Sequence, residues 1–232
     1  MKIENKIAIV TGASKGIGLE TCKLLISKGV RVAGWSRTAP GLEHKNFQFF
    51  AVDVSNLKSV ENGYAATIKG FGVEVDILIN NAGLGYEYPF EETPLDLWQK
   101  MFSTNVDGIF YCSRLVIPGM KKKEEGHIIN ISSIAGTNGI VNMSAYCATK
   151  HAVRGLSQSM FKELRNYGIK VTCIYPGSTK TNFFDEISSV KISDNMMIPE
   201  DIAGTIIQCL ETSGNYHPVD IEVRPLRPKG KQ

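Results

Sequence analysis

The sequence predicts a doubly wound α/β fold, an open parallel sheet of about seven strands with helices on both faces. Three observations predict it. Short β-branched runs alternate with longer segments of helical period, which is the pattern of repeated βαβ units wound by right-handed crossovers. Runs such as Ile7-Ala-Ile-Val10 are continuously apolar, as strands covered on both faces are. A glycine-rich turn, Thr11-Gly-Ala-Ser-Lys-Gly-Ile-Gly18, follows the first run and opens a helical segment.

The elements follow in order. Residues 6–10 form the first strand and 18–28 the first helix; the β-branched stretch 30–35 and the phenylalanine-rich stretch 47–54 read as the second and third strands. Helical period returns over 57–69, the apolar run 75–80 is a strand, and a long helical stretch covers 95–123. A strand at 127–132, a second long helix at 143–167 and a strand at 170–175 come next. A last helix over 199–210 and a strand over 219–223 close the sheet. Between them, 179–198 is rich in Ser and Asn without long periodicity, and its place after the sixth strand makes it a substrate lid at the ligand crevice.

At 232 residues the chain reads as a single domain over 1–232, large enough to bury about 70% of its unfolded surface. A net charge of +3 is mild for a partner of nucleic acid or of an anionic membrane, so neither is expected. The basic tail, about 225–232, is read as solvated or subunit-packed. Five cysteines without CxxC spacing and four histidines without a ligand pattern imply reduced thiols and no metal site. No charged-then-apolar leader and no apolar run of ~18 residues is present, so a cytoplasmic protein is expected.

The glycine turn points to a dinucleotide. Gly12, Gly16 and Gly18, with Ile17 between them, let backbone N–H groups and a helix N-terminus face a diphosphate, and Thr11, Ser14 and Lys15 add polar groups there. The second strand ends in Trp35-Ser36-Arg37 with no acid to bond a ribose 2′-OH. Arg37 and Ser36, with Lys15 opposite, suit a 2′-phosphate, which favours NADP(H) over NAD(H). Asp53-Val54 and Asn80-Asn81-Ala82-Gly83 end the third and fourth strands, where a carboxylate can accept from an adenine amino group and small residues admit the adenosine half.

Tyr146 and Lys150 stand four apart in a helix, on one face, so the ammonium can acidify the phenol. Bringing a tyrosine from its ordinary value toward 7 requires about 4 kcal/mol of phenolate stabilisation. Cys147 beside it points about 100° away and is no nucleophile.

With these motifs in this order and spacing, together with Asn105, Ser132-Ser133 and Pro176-Gly177, the chain closely resembles the short-chain dehydrogenase/reductase family over about residues 5–224. The resemblance implies a Rossmann-type sheet and a catalytic tetrad of Asn105, Ser133, Tyr146 and Lys150. Ser133, thirteen residues before Tyr146, matches the family serine better than Ser132. Lysine in the family also grips the nicotinamide ribose, and asparagine holds a water leading to solvent. Pro176, Gly177, Thr179 and Thr181 are implied to border the nicotinamide. The implied activity is interconversion of a small carbonyl compound and its alcohol, in a homodimer or homotetramer paired through the two long helices. Ile109, Phe110, Leu115, Val153, Leu156 and Met160 serve equally as that interface or as core. Leu84-Gly-Tyr86, Thr137, Asn138, Met143, Phe183 and Phe184 form the expected substrate-facing set. The chain departs from the family's acyl-carrier-protein reductases at Ile221-Glu-Val-Arg-Pro225, where theirs is glycine-rich. The rival reading is a catalytically silent NADP(H)-sensing regulator, which would need the glycine turn but not the tetrad.

Overall fold

A computed structural model of the chain describes residues 1–183, 187, 189 and 192–227. In chain order its elements are β1 (Ile7–Thr11), α1 (Gly16–Ser27), β2 (Arg31–Ser36), β3 (Phe47–Ala51), α2 (Leu57–Phe71), β4 (Ile77–Asn80) and α3 (Leu95–Phe102). They continue with α4 (Gly108–Lys123), β5 (Gly126–Ile131), α5 (Ser144–Leu164), β6 (Ile169–Pro176), α6 (Pro199–Leu210) and β7 (Asp220–Val223). The strands form one sheet in the order β3-β2-β1-β4-β5-β6-β7, and every neighbouring pair is parallel.

Alternation of side chains along each strand divides the core into two layers. Ile7 and Ile9 of β1 pack with Val60 of α2 and Cys112 and Val116 of α4, whereas Ala8 and Val10 pack with Leu25 of α1 and Ile206 of α6. Because the chain steps outward from β1 to β3 and then returns to lay β4 beside β1, the loops after β1 and β4 part there. This opens a crevice at the carboxyl ends of the strands.

Two features place the long helices α4 and α5. A π-helical turn, Ser103–Asp107, joins α3 to α4 and turns Asn105 inward. A buried polar ladder crosses the sheet. Asn80 Nδ2 donates to Asn130 Oδ1 at 2.8 Å and to Ser113 Oγ of α4 at 3.2 Å, and Asn130 Nδ2 donates to Ser157 Oγ of α5 at 2.9 Å. Each amide is satisfied inside the core, so the ladder sets how α4 and α5 lie on β4 and β5.

Below the sheet, His127 of β5 is buried, with Nε2 paired to Thr172 Oγ1 at 2.9 Å and Nδ1 without a partner among the described residues. Its ring meets His217 edge-on at 5.8 Å. Burial first, then the charge that the neighbouring His217 ring would carry if protonated and the Lys170 and Met1 amino groups, hold His127 well below the ordinary histidine value; burial also lowers His217. Both rings are therefore neutral in the fold but take up protons in the unfolded chain below about pH 6.5. Unfolding then binds protons, so stability is complete above that value and falls below it, by up to about 1.4 kcal/mol per pH unit for the fully buried His127 and by less for the partly exposed His217. The melting temperature is expected to drop between pH 7.5 and 5.5, with a shallower drop in His127→Gln; identical slopes for both proteins would contradict this account.

Candidate active site

The crevice is a cleft of about 630 Å³. At one end, Gly12, Ser14, Lys15, Gly16 and Ile17 line it. Gly12 and Gly16 take left-handed backbone angles, φ +67° and +56°, that an L side chain rarely adopts. A Cβ on Gly12 would lie 2.8 Å from Asn81 Nδ2 and 3.0 Å from Ala82 Cα, so this wall must be bare backbone. No side chain caps α1, whose first N–H groups open toward the glycine turn. Uncapped donors, bare backbone and a helix N-terminus fit an anionic diphosphate.

The adenosine side is formed by Ser36, Arg37, Asp53 and Val54, with Asn81, Ala82 and Gly83 across from them. Arg37 and Lys15 are exposed. Ser36 differs from expectation, since its hydroxyl is turned inward and donates to Thr38 O at 2.8 Å, so it has no proton left for a phosphate. Asp53 Oδ1 accepts from the Ser55 amide at 3.0 Å and hydroxyl at 2.7 Å, which shapes the turn into α2.

Thr11 is also redirected. Its Oγ1 accepts from the Asn81 and Ala82 amides, each at 3.0 Å, and donates to Ile79 O at 3.3 Å. It clasps the ends of β1 and β4 together and does not line the cleft. Gly18 lies outside the cleft as well; a Cβ there would stand 2.2 Å from Gly12 O and 2.6 Å from Asn81 Nδ2. Its bareness lets α1 press against the turn that holds the cleft open.

At the other end Ser133, Tyr146 and Lys150 converge. Ser133 follows β5 and caps a 3₁₀ turn, accepting from the Ala135 amide at 3.1 Å, and its hydroxyl lies near enough to the Tyr146 phenol to favour the phenolate. Ser132 instead donates to the Lys150 backbone carbonyl at 3.0 Å, so it is Ser133 that meets the tyrosine. Lys150 lies one turn beyond Tyr146 on α5, its ammonium 5.7 Å from the ring centroid and donating to Ile131 O at 2.9 Å. Burial outweighs the acidification that the spacing suggests. Burial pushes Tyr146 well above its ordinary value, only partly opposed by Ser133, and brings the Lys150 ammonium down to about 8.

Asn105 is beside this group but outside the cleft lining. Its amide donates to Leu84 O at 2.8 Å and Thr149 Oγ1 at 3.0 Å and accepts from Leu84 N at 2.9 Å. The side chain braces the β4 loop against α5, and both of its N–H donors are occupied by that contact.

Pro176, Gly177, Thr179 and Thr181 border the cleft at and after the end of β6, and Thr179 bridges Met197, bringing together the two ends of the 179–198 stretch. Of the expected substrate-facing set, Leu84, Met143 and Phe183 line the cleft. Tyr86 instead accepts from Lys100 Nζ at 2.9 Å, and Thr137 and Asn138 both bond Ile134 O. Phe184 lies outside the described residues. Thr38, Thr104, Ile134, Ile140, Ser178 and Asn182 also line the cleft, though none was named as a site residue from the sequence. Several of them stood beside features already singled out: Thr104 next to Asn105, Ile134 next to Ser133, Ser178 next to Gly177, and Asn182 inside the 179–198 segment.

A family model described as short chain dehydrogenase matches residues 6–191. The 3-oxoacyl-[acyl-carrier-protein] reductase FabG of Vibrio cholerae is 36% identical over 188 residues, covering 78% of this chain and 77% of that protein. An uncharacterized oxidoreductase of Staphylococcus saprophyticus is 32% identical over 236 residues, covering 97% of this chain and all (100%) of that one. Among solved structures, 3-ketoacyl-(acyl-carrier-protein) reductase from Brucella melitensis complexed with NADH superposes with a TM-score of 0.89 at 26% identity, covering 97% of this chain and 99% of that one. The closed form of serine dehydrogenase complexed with NADP⁺ gives 0.87 at 28% identity, covering 95% of each chain.

Proposed function

The chain belongs to the short-chain dehydrogenase family, and from that premise we propose that it is an NADP(H)-dependent oxidoreductase that interconverts an aldehyde or ketone and its alcohol, with Tyr146 as general acid/base. The observation that carries the reading is the meeting of Ser133, Tyr146 and Lys150 at one end of a cleft whose other end is a bare glycine turn on a helix N-terminus.

Gly12, Ser14, Lys15, Gly16 and Ile17 hold the diphosphate, while Val54, Asn81, Ala82 and Gly83 wall the adenosine half and Asp53 offers a carboxylate to the adenine. Pro176, Gly177, Thr179 and Thr181 border the nicotinamide, which when bound supplies or takes the hydride. The residues manage the proton. A phenol held above its ordinary value stays protonated at neutral pH and is a competent donor to a developing alkoxide. Ser133 donates to the same oxygen and so orients the carbonyl. Lys150 supplies the positive charge that stabilises the phenolate left behind. Asn105 fixes Leu84 at the edge of the site.

Preference for NADP(H) is supported by Trp35-Ser36-Arg37, where no acid repels a 2′-phosphate and the exposed Arg37 and Lys15 can pair with it. With Ser36 committed to Thr38, the discrimination rests on those two cations. A charge-assisted hydrogen bond contributes about 1.5–3 kcal/mol, so kcat/KM on a panel of aldehydes, ketones and a 3-oxoacyl thioester is expected to be at least about tenfold higher with NADPH than with NADH. Arg37→Ala should remove most of that ratio. Equal or better kinetics with NADH would reject the preference, and no turnover of any panel member would reject the reading.

We place the reaction in the cytoplasm, in keeping with five unpaired, buried cysteines, and no described helix is long and apolar enough to cross a membrane. The partners are small-molecule substrates, with no nucleic acid, and copies of the chain in a homodimer or homotetramer. Ile109 and Val153 pack against each other inside the chain, while Phe110 is half-exposed and free to face a second copy.

A further inference from the structure

The rings of Phe183, in the lid segment, and Tyr146 lie 5.1 Å apart, tilted by 47°. They meet over Gly85, where a Cβ would stand 2.7 Å from Phe183 Cζ and 2.9 Å from Tyr146 Cδ2. The backbone there is not in the left-handed region, so what requires glycine is the room taken by the two rings. Around them Leu84, Met143, Ile134 and Ile140 complete an apolar wall. Among the described lining residues at this end, Lys150 is the charged side chain, and its ammonium already donates to Ile131 O. Lys15, Arg37 and Asp53 belong to the opposite end of the cleft.

We infer that Phe183 is the specificity-determining residue, that Gly85 is the positioning residue seating it against Tyr146, and that the site takes an uncharged carbonyl compound with an apolar body. The inference rests on the oxidoreductase reading above. A substrate carboxylate would be stripped of water against this wall, where the cation among the described lining residues is the Lys150 ammonium already bonded to Ile131 O, and a poorly paired buried charge is strongly disfavoured. An apolar body instead gains by covering the phenyl ring.

Benzaldehyde and 4-carboxybenzaldehyde share ring and aldehyde and differ by one carboxylate, with methyl 4-formylbenzoate as the uncharged control of similar size. With NADPH, kcat/KM is expected to favour benzaldehyde by at least about fiftyfold. Phe183→Ala should raise the KM for benzaldehyde about tenfold with little change in kcat. Gly85→Ala, which displaces the tyrosine ring, should lower kcat about tenfold. A binding measurement separates this inference from the reading beneath it. Benzamide and 4-carboxybenzamide, which cannot be reduced under these conditions, are titrated into the protein–NADPH complex and followed by nicotinamide fluorescence. Benzamide should bind at least about tenfold tighter, and Phe183→Ala should erase most of that advantage while leaving the NADPH dissociation constant within about twofold. Equal affinity for the two amides, no saturable benzamide binding, or unchanged benzamide affinity in Phe183→Ala overturns the inference. Preserved amide selectivity without reduction of either aldehyde would uphold the assigned pocket and overturn the carbonyl reductase reading instead.

Discussion

Tyr146→Phe is expected to lower kcat for carbonyl reduction by at least about a hundredfold while NADPH binds within about twofold of wild type, measured by nicotinamide absorbance and by fluorescence titration. The substitution removes one oxygen and keeps the ring, so the 5.1 Å contact with Phe183 and the packing of α5 against the Ala135 and Met143 cluster survive. What disappears is the proton donor next to Ser133. Burial makes the expectation sharp. The phenol is held above its ordinary value, so it is protonated throughout the neutral range, and no neighbouring group can take its place. Lys150, brought down to about 8 by burial, is a better acid, but its ammonium is bonded to Ile131 O and stands 5.7 Å from the Tyr146 ring centroid, away from the phenol's place beside Ser133. A kcat near wild type would remove Tyr146 from the role proposed for it, whereas a parallel loss of NADPH binding would show that the hydroxyl also holds the cofactor and is not reserved for the proton step.

Gly18→Ala is expected to weaken NADPH binding by about a hundredfold or more and to lower the melting temperature by about 3–10 °C, although Gly18 does not line the cleft. The added carbon would stand 2.2 Å from Gly12 O and 2.8 Å from Gly12 C, and both are backbone atoms that no rotamer change can move. Either α1 backs away or the Gly12 turn shifts, and overpacking of this kind costs about 1–3 kcal/mol. Moving the turn also disturbs Asn81, whose Nδ2 donates to Thr11 O at 2.9 Å and would lie 2.6 Å from the new methyl. Gly204→Ala in α6 is the matching control, because nothing lies within 4 Å of its added carbon. There the lower helix propensity of glycine predicts a gain of up to about 1 kcal/mol. Unaltered NADPH affinity in Gly18→Ala would mean that the glycine turn is not the diphosphate site.

Much of the fold was legible because its signals are local. The helix expected over 95–123 is found as α3, the π turn and α4, and the helix expected over 199–210 has those bounds as α6. The third strand ends at Ala51 and not at 54, since Val52 and Asp53 already turn toward α2 through the bond between the Asp53 amide and Ser59 Oγ. Such an end depends on a side chain six residues away, which hydrophobic period does not register. The site was legible in part for the same reason. Tyr146 and Lys150 share one helix face, and the glycine turn is contiguous, so sequence spacing translates directly into geometry. Thr11, Ser36 and Asn105 were misjudged in orientation because their partners, Ala82, Thr38 and Leu84, are set by how loops meet. The ladder of Asn80, Asn130 and Ser157 was missed altogether, since three polar residues on separate elements leave no periodic trace.

By itself the sequence determined the order of strands and helices, the glycine turn at the end of β1, and the chemical identities of Ser133, Tyr146 and Lys150. Each of these follows from backbone preference or spacing within a few residues. Only the tertiary structure decided that Gly18 serves packing and not the cleft, that Phe183 lies on the tyrosine across Gly85, and that burial raises Tyr146 where a neighbouring ammonium alone would lower it. The reason is physical. Secondary structure answers to neighbours in the chain, but close approach and desolvation depend on which distant segments are brought together, and at this site desolvation outweighs the charge one helical turn away.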